Sequence, residues 1–532
     1  VPLPAIATER ELVHWLATPD AYPHRPEHVA HVETHISHVF LAGDLVYKLK
    51  KPVRFEFLDF STLPSRQHAC REELRLNRRL APDAYLDVVP VVRLADGTLS
   101  LRGDGQIVEW LVEMRRLPTE QTLESLHQRG KLTAEHIDRL ARALGSFYRS
   151  LEPVPVTAEE YRARCLAHVQ ENRRELLAVR HHLPHGAVER ACGFQLQLLL
   201  LAPDVFDERV RAGRVIDGHG DLRPEHICLS EAVVIFDCIE FSADFRRIDV
   251  ADELAFLAAE CDFLGADWIG KRLFKKYEEQ SGDRPRAQVV DFYKSYRACV
   301  RAKIAALRAD QLHAQHHEQA QPHEQAVAEA RRHLTLADRY ARPWLSPLVI
   351  AVGGLSGTGK STLAGAIAEQ LGAELLRTDV VRQEMFGTSS QAAPVDGGMY
   401  SAPSRQRVYD ELFRQATDWH RQEVSVVLDG TFSSVHDLRH AQEVVTHVCG
   451  RFLAVQCVCA PEMAERRIRE RLAAGRDASE SRPELVAIQR ARWEAWPADV
   501  SQVAIDTEVP LARQVEGVLG ALRQVSAGNE RT

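Results

Sequence analysis

Apolar and polar positions change period several times along the chain, and each change marks an element. Residues 8–18 repeat apolar positions at helical spacing. Residues 35–41 and 45–51 alternate apolar with polar around Gly43-Asp44, the pattern of a hairpin. A helical stretch over 65–80 stops at Ala81-Pro82, and strand-like runs follow at 88–94, 98–101 and 107–114. Strands, one helix and further strands describe a small mixed α+β lobe. From residue 133 onward the period is helical, broken by Pro153-Val154-Pro155 and His182-Leu183-Pro184. A short strand is expected over 214–217 and a hairpin from 227–229 and 233–236, before helices resume at 248–259.

The stretch 311–329 is rich in Gln, His, Ala and Glu around Pro322, and reads as a solvated helical connector. Its His313, His316, His317 and His323 fit a polar face better than a metal site. Beyond it, apolar runs at 348–352, 374–378, 424–428, 452–459 and 502–505 alternate with helix-like segments. That alternation predicts an α/β unit: a five-stranded parallel sheet wrapped by helices on both faces, with ligands at the carboxyl ends of the strands.

Length and charge narrow the picture. A chain of 532 residues exceeds one ordinary core. From residue 348 onward there are 20 basic and 24 acidic residues, against 47 and 51 before it. Neither part has the basic excess of a nucleic-acid binder, so a small-molecule partner is expected instead. Ten scattered cysteines without a C-x-x-C pair read as reduced structural thiols. The absence of a long apolar run argues against a membrane span, and the start lacks the order of a signal peptide, so a cytoplasmic location is expected.

The densest chemical signal is Gly354-Leu355-Ser356-Gly357-Thr358-Gly359-Lys360-Ser361, followed by Thr362 and a helix-like run. Strand, glycine turn and helix start together aim backbone N–H groups at phosphates. Lys360 is placed to reach the terminal phosphates of ATP, with GTP as the alternative nucleotide, and the Ser361 hydroxyl to ligate Mg2+. Composition sharpens this: Lys360 is the only lysine after Lys303, although nineteen arginines lie from residue 348 onward. A compact ammonium suits a phosphate cradle differently from a planar guanidinium.

Asp379 and Asp429 each close an apolar run, so both carboxylates are expected at the mouth of the sheet, with Arg382 at helical spacing from Asp379. Helix capping is the competing use of these two aspartates. The segment 461–476 carries Arg466, Arg467, Arg469, Arg471 and Arg476, and Arg467, Arg471 and Arg476 are candidate lid arginines over a migrating phosphoryl group. These stretches, with Thr378-Asp379-Val380-Val381-Arg382 and Leu428-Asp429-Gly430-Thr431-Phe432, resemble the P-loop small-molecule kinases, a set that includes gluconate kinase, polynucleotide 5'-hydroxyl kinase and zeta-toxin-like kinases. The resemblance implies that Asp379 approaches the acceptor hydroxyl.

In the first part, His219-Gly220-Asp221 and Asp237 resemble the catalytic and metal-binding loops of aminoglycoside phosphotransferases and other protein-kinase-like small-molecule kinases. The resemblance implies a bilobal fold in which Asp221 accepts the acceptor proton and Asp237 holds Mg2+. It also implies a strand lysine paired with a helix glutamate. Lys48 and Lys50 alternate onto one face, so spacing leaves both open; Lys48 is favoured, with Glu73 as partner and Glu72 as the alternate. Met114 and Arg115 are expected at the hinge where adenine binds. His226 stands where the family has a metal-ligating asparagine, which leaves one-metal catalysis, an altered metal preference or a degenerate domain.

Nearly the whole chain, including Phe236-Asp237-Cys238-Ile239-Glu240-Phe241 and Ile248-Asp249-Val250-Ala251-Asp252-Glu253-Leu254-Ala255-Phe256-Leu257, resembles the bacterial family of fused aminoglycoside phosphotransferase and ATP-binding proteins. The expected organisation is a kinase-like N-lobe over 1–115, a C-lobe over 116–310, a helical connector over 311–346 and a P-loop kinase domain over 347–532. The expected activity is ATP- and Mg2+-dependent transfer to a hydroxyl of a sugar, sugar acid or aminoglycoside-like molecule by two units. The alternatives are a single active P-loop unit beside a binding or regulatory module, and a nucleotide-gated interaction ATPase.

Overall fold

A computed structural model describes residues 8–55, 58–315, 320–387, 401–447, 450–474 and 489–529. The chain divides into two compact units, Val1–Thr157 with Glu208–Tyr293, and Ala158–Asp207 with Lys294–Thr532. Residues 158–207, expected within a 116–310 lobe, therefore group with the glycine-loop part. Their helix His185–Leu201 packs on the helices Ala158–Leu176, Ala320–Ala341 and Lys360–Leu371.

The first unit is built on an antiparallel sheet. Its strands are β1 (Val29–Glu33), β2 (Ser37–Ala42), β3 (Leu45–Lys50), β4 (Tyr85–Arg93), β5 (Leu99–Leu101) and β6 (Gln106–Arg115), in the order β1-β2-β3-β6-β4-β5. The hairpin between β2 and β3 turns at Gly43, whose φ of 65° lies in the left-handed region. The helix Leu63–Asn77 opens with a reciprocal Thr62–Ser65 capping box and buries Ala69, Cys70, Glu73 and Leu76. Further along the chain come β7 (Val215–Asp217) and a hairpin of β8 (Ile227–Leu229) and β9 (Val233–Ile235). Leu140, Leu144, Ile227, Leu229, Ile235, Leu254 and Leu257 bury the hairpin's apolar face among helices. Strand β1 has no counterpart in the expected elements, because four of its five positions are exposed and show no alternation.

The second unit is the expected α/β unit. Strands β10 (Leu348–Gly353), β11 (Glu374–Arg377), β12 (Val426–Asp429), β13 (Arg451–Val458) and β14 (Gln502–Asp506) are all parallel, in the order β11-β12-β10-β13-β14. Every residue of the central β10 is buried, which explains its unbroken apolar run. One face of the sheet packs Leu363, Ile367, Leu371, Val518 and Leu522, and the other packs Leu412, Phe413, Leu438 and Trp496. The helix Ala320–Ala341 is not solvated all round: Ala326, Ala330, Leu334, Ala337 and Ala341 form a buried stripe. His316 and His317 lie outside the described residues, and no described helix is long and apolar enough to cross a membrane.

Disulfide bonds are absent among the nine described cysteines. Burial pushes the thiols of Cys70, Cys238 and Cys457 up to about 12. They are protonated, unreactive packing groups near neutral pH.

Candidate functional site

In the second unit, β10 runs directly into the glycine loop, which runs into the helix Lys360–Leu371. The loop is closed on itself: the Gly354 N–H reaches the Thr431 carbonyl at 3.1 Å and the Thr358 hydroxyl donates to the Leu355 carbonyl at 2.8 Å. The Ser356 N–H is taken by Oε1 of Gln489 at 2.8 Å. Gly357 has φ 82°, and a Cβ there would lie 2.4 Å from the Ala464 carbonyl oxygen, so only glycine lets the helix Pro461–Ala474 approach. Gly359, at φ 85°, caps the helix that Lys360 begins. Ser356 and Thr358 are buried, Ser361 is half-buried and Thr362 is exposed. Lys360 is half-buried, and its ammonium has no hydrogen bond or ion pair among the described residues.

Because the sheet is parallel, the segments after β10, β11 and β12 meet at one end of it. Asp429 is the last residue of β12 and is buried, with Oδ2 3.2 Å from Nε of Arg377. Asp379 was expected to close a strand; β11 stops at Arg377, and Asp379 lies in the first turn of the helix Thr378–Phe386. The Thr378 hydroxyl donates to the Asp429 carbonyl at 3.2 Å, which ties the two strand ends together. Neither aspartate caps this helix, whose N-cap Arg377 makes no side-chain capping bond. Arg382 Nη1 donates to Asp379 Oδ1 at 2.5 Å. The turn after Asp429 is strained, with Phe432 at φ 47°, and is held by the Phe432 N–H on the Tyr409 hydroxyl and by Trp496 Nε1–H on the Phe432 carbonyl, both 2.9 Å.

Of the lid candidates, Arg467 is brought to the loop. A Cβ on Gly359 would lie 3.3 Å from its Nη1, and Thr507 anchors it through the hydroxyl at 3.1 Å and the carbonyl at 2.7 Å. Arg471 is exposed, and its Nε turns back to the Arg467 carbonyl at 3.4 Å. Arg476 lies outside the described residues.

The first unit gathers its charged residues into one network. Spacing left Lys48 and Lys50 open, and Glu73 takes both: Lys48 Nζ lies 2.9 Å from Oε1 and Lys50 Nζ 2.7 Å from Oε2. Lys48 also donates to Asp237 Oδ1 at 2.7 Å, and Lys50, 1% exposed, donates to Glu240. Burial opposes both ammoniums, yet the facing carboxylates hold both lysines above their usual value. Burial likewise opposes ionisation of Asp237 and Glu73, and the Lys48 ammonium, with Lys50 at Glu73, overrides it and lowers both carboxyls. Glu72 is not the partner; it pairs with Arg75 at 2.7 Å. Met114 is buried on β6, opposite Val46 and Tyr85. The Arg115 N–H is already taken by the Ala84 carbonyl at 2.7 Å.

The turn 219–221 is set by Glu253 and by His219 itself. Glu253 Oε1 takes the N–H groups of His219 and Gly220 at 2.5 and 2.8 Å. His219 Nε2 faces the Phe236 carbonyl at 2.9 Å and must donate to it, which leaves Nδ1 to accept the Asp221 N–H at 3.3 Å. Burial lowers the His219 pKa. His226 bridges the two aspartates, with Nδ1 3.0 Å from the Asp221 carbonyl and 3.5 Å from its carboxylate, and Nε2 3.6 Å from Asp237 Oδ2.

The two donor sets suit different ligands. The glycine loop leads into a helix start that carries an ammonium with no ion pair among the described residues and a hydroxyl, which fits a nucleotide triphosphate with Mg2+. The Asp237 carboxylate, with 42% of its side chain open, and His226 Nε2 can share one divalent cation once Lys48 moves. An imidazole in place of a hard oxygen does not fit a pair of Mg2+ ions. Gln489, Thr507 and Tyr409 were not expected from the sequence, because each reaches its partner across the fold with no motif to mark it; Glu240 and Glu253 lie in stretches that carry the family resemblance, but their roles depend on partners distant in sequence.

A protein-family profile described as an AAA domain matches residues 349–496. Among solved structures, a gluconokinase from Sinorhizobium meliloti is 20% identical and covers 35% of this chain and 98% of its own, with a TM-score of 0.26. A choline/ethanolamine kinase family protein from Mesorhizobium loti is 16% identical and covers 62% of this chain and 99% of its own, with a TM-score of 0.36. An uncharacterized protein of Mycobacterium tuberculosis is 32% identical over 514 residues, 94% of this chain and 96% of its own. The chain therefore belongs to one family with that mycobacterial protein.

Proposed function

We propose that this protein is an ATP- and Mg2+-dependent phosphotransferase acting on a hydroxyl group of a small polyhydroxylated molecule, with transfer carried by the P-loop unit. The observation that carries this reading is Lys360, whose ammonium has no ion pair among the described residues and stands at the head of a glycine cradle. In this reading the acceptor oxygen bonds to the terminal phosphorus as the bond from phosphorus to the bridging oxygen breaks, and ADP leaves. Asp379 takes the acceptor proton, and Arg382 holds that carboxylate in place. Lys360 and Arg467 neutralise the charge on the migrating group. Mg2+, when bound through the Ser361 hydroxyl, adds charge neutralisation at the phosphates.

A second phosphoryl-transfer unit is the matching reading of Asp221, as proton acceptor, and Asp237. One observation favours a quieter role for that unit as a binding or regulatory module: Lys48 is already paired to Asp237 at 2.7 Å, and His226 bridges Asp237 to Asp221. The test is transfer from labelled ATP to a panel of sugars, alditols, sugar acids, aminoglycosides, nucleosides and oligonucleotides by the full chain. A labelled hydroxyl product is expected from the polyhydroxylated class. Turnover that depends on a protein partner and on none of these acceptors would overturn the reading in favour of a nucleotide-gated interaction ATPase.

A further inference from the structure

Residues 489–496 are pinned to two segments at the mouth of the second unit's sheet. On the side of the turn after Asp429, the Glu494 N–H donates to the Ser433 carbonyl at 2.9 Å, Glu494 Oε2 accepts the Val435 N–H at 2.6 Å, and Trp496 Nε1–H donates to the Phe432 carbonyl at 2.9 Å. On the side of the glycine loop, a Cβ on Gly353 would lie 2.7 Å from Cζ2 of Trp496, and Gln489 Oε1 takes the Ser356 N–H at 2.8 Å. Trp493 stacks on Trp496 with ring centroids 5.8 Å apart. The Gln489 carboxamide is therefore fixed at the loop.

The two ends of that carboxamide are used unequally. The Ser356 N–H is a donor, so the atom that faces it is the oxygen, and Nε2, bonded to the same carbon, carries two N–H groups beside the loop. Those N–H groups have no hydrogen-bond partner among the described residues. Ser356 precedes the helix that Lys360 opens, so the Gln489 oxygen leaves the helix-start N–H groups, which have no carbonyl of their own, to the phosphates. Arg467 flanks the loop at Gly359 and Gln489 flanks it at Ser356. A glutamate could accept the same Ser356 N–H, but it would set a negative charge against the phosphates; glutamine supplies the acceptor together with two donors. A half-buried amide with unused donors beside an anion cradle is completed by an anion. The backbone of such a loop holds the α and β phosphates. Because residues 489–496 run from the loop to the turn after Asp429, the phosphate on their side is the terminal one, which has to meet the acceptor.

We propose that Gln489 binds the terminal phosphoryl group of the nucleotide, with Oε1 fixed by the Ser356 N–H and Nε2 donating to a γ-phosphate oxygen, so that the P-loop unit distinguishes a nucleoside triphosphate from a diphosphate. This rests on the function proposed above. The test uses the full chain as wild type, Gln489→Ala, Gln489→Glu and Lys360→Met, titrated calorimetrically with ADP and with the β,γ-imido analogue of ATP in the presence of Mg2+. The binding component lost in Lys360→Met is that of the P-loop. In Gln489→Ala the dissociation constant of the imido analogue at that site should rise about tenfold or more while that of ADP stays within about twofold, because a hydrogen bond to a charged group is lost only where a γ-phosphate is present. Gln489→Glu retains an acceptor for Ser356 and should melt with wild type when no nucleotide is added, yet it should lose more affinity for the imido analogue than Gln489→Ala, since a carboxylate oxygen replaces the donor. Equal affinity of Gln489→Glu and wild type for the imido analogue overturns the proposal. Tighter binding of both nucleotides by Gln489→Ala also overturns it, by making Gln489 a plug over the loop. An equal loss for both nucleotides with early melting overturns it as well, by making Gln489 only a latch between segments. Nucleotide binding unchanged in Lys360→Met instead overturns the proposed function, and the role of Gln489 falls with it.

Discussion

Lys48 and Lys50 in the first unit and Lys360 in the second occupy opposite electrostatic situations. The first two are locked into carboxylates, Glu73 between them and Asp237 and Glu240 beyond. Lys360 stands on a helix start with no charge partner among the described residues. A buried ammonium that is paired on every side contributes to the integrity of its unit, because removing it strands its partners. An unpaired ammonium in a glycine cradle contributes little to folding and is free to act on a phosphate. On the function proposed above, the lysines of the two units separate a structural use of charge from a functional one.

The largest expected effect tests the structural side. Lys50→Met leaves Glu73 and Glu240 buried without their shared cation, and urea unfolding should show a loss of about 3–5 kcal/mol in the first unit. Next comes the functional side. Lys360→Met should lower P-loop transfer by about 10²–10³-fold while thermal melting stays within about 0.5 kcal/mol of wild type. If Lys360→Met instead melts early and Lys50→Met does not, the contrast is reversed and the account of the two lysines fails.

Gly357→Ala is a smaller and more local break. The added Cβ meets the Ala464 carbonyl at 2.4 Å, at a φ of 82° that alanine tolerates poorly. The strain is about 1–3 kcal/mol, and weaker nucleotide binding by titration calorimetry is expected as the helix bearing Arg467 is pushed away.

The smallest effect is a pH slope. The folded pKa of Asp237 lies below its unfolded value of about 3.9, so its contribution to stability is complete above that value and is lost as pH falls through it toward the lower folded value. Asp237→Asn should flatten the fall in unfolding free energy measured below about pH 4, where wild type keeps its slope.

Some of this was legible in the amino-acid order and some was not, for physical reasons. The glycine loop and its five parallel strands could be read because a fully buried strand is an unbroken apolar run and the loop is a contiguous motif. The pairing of Lys48 and Lys50 could not be resolved by alternation, since both share a face and the fold uses both on one glutamate. Strand β1 was invisible because its side chains are mostly exposed. Asp379 was placed one element early, because the apolar run 374–378 gives no sign that Thr378 already begins a helix. Gln489 and Thr507 carry no local signal at all, because their surroundings are made by segments far away in sequence. The division at residue 158 was hidden for the same reason, as helix-on-helix packing decides it.

The most direct measurement of the central claim is transfer from labelled ATP, with products resolved, by full-length wild type, Lys360→Met and Asp221→Asn side by side. The account predicts a hydroxyl-phosphorylated product that disappears in Lys360→Met and persists in Asp221→Asn, with any product of the first unit showing the reverse pattern. Undiminished formation of every product in Lys360→Met would contradict it.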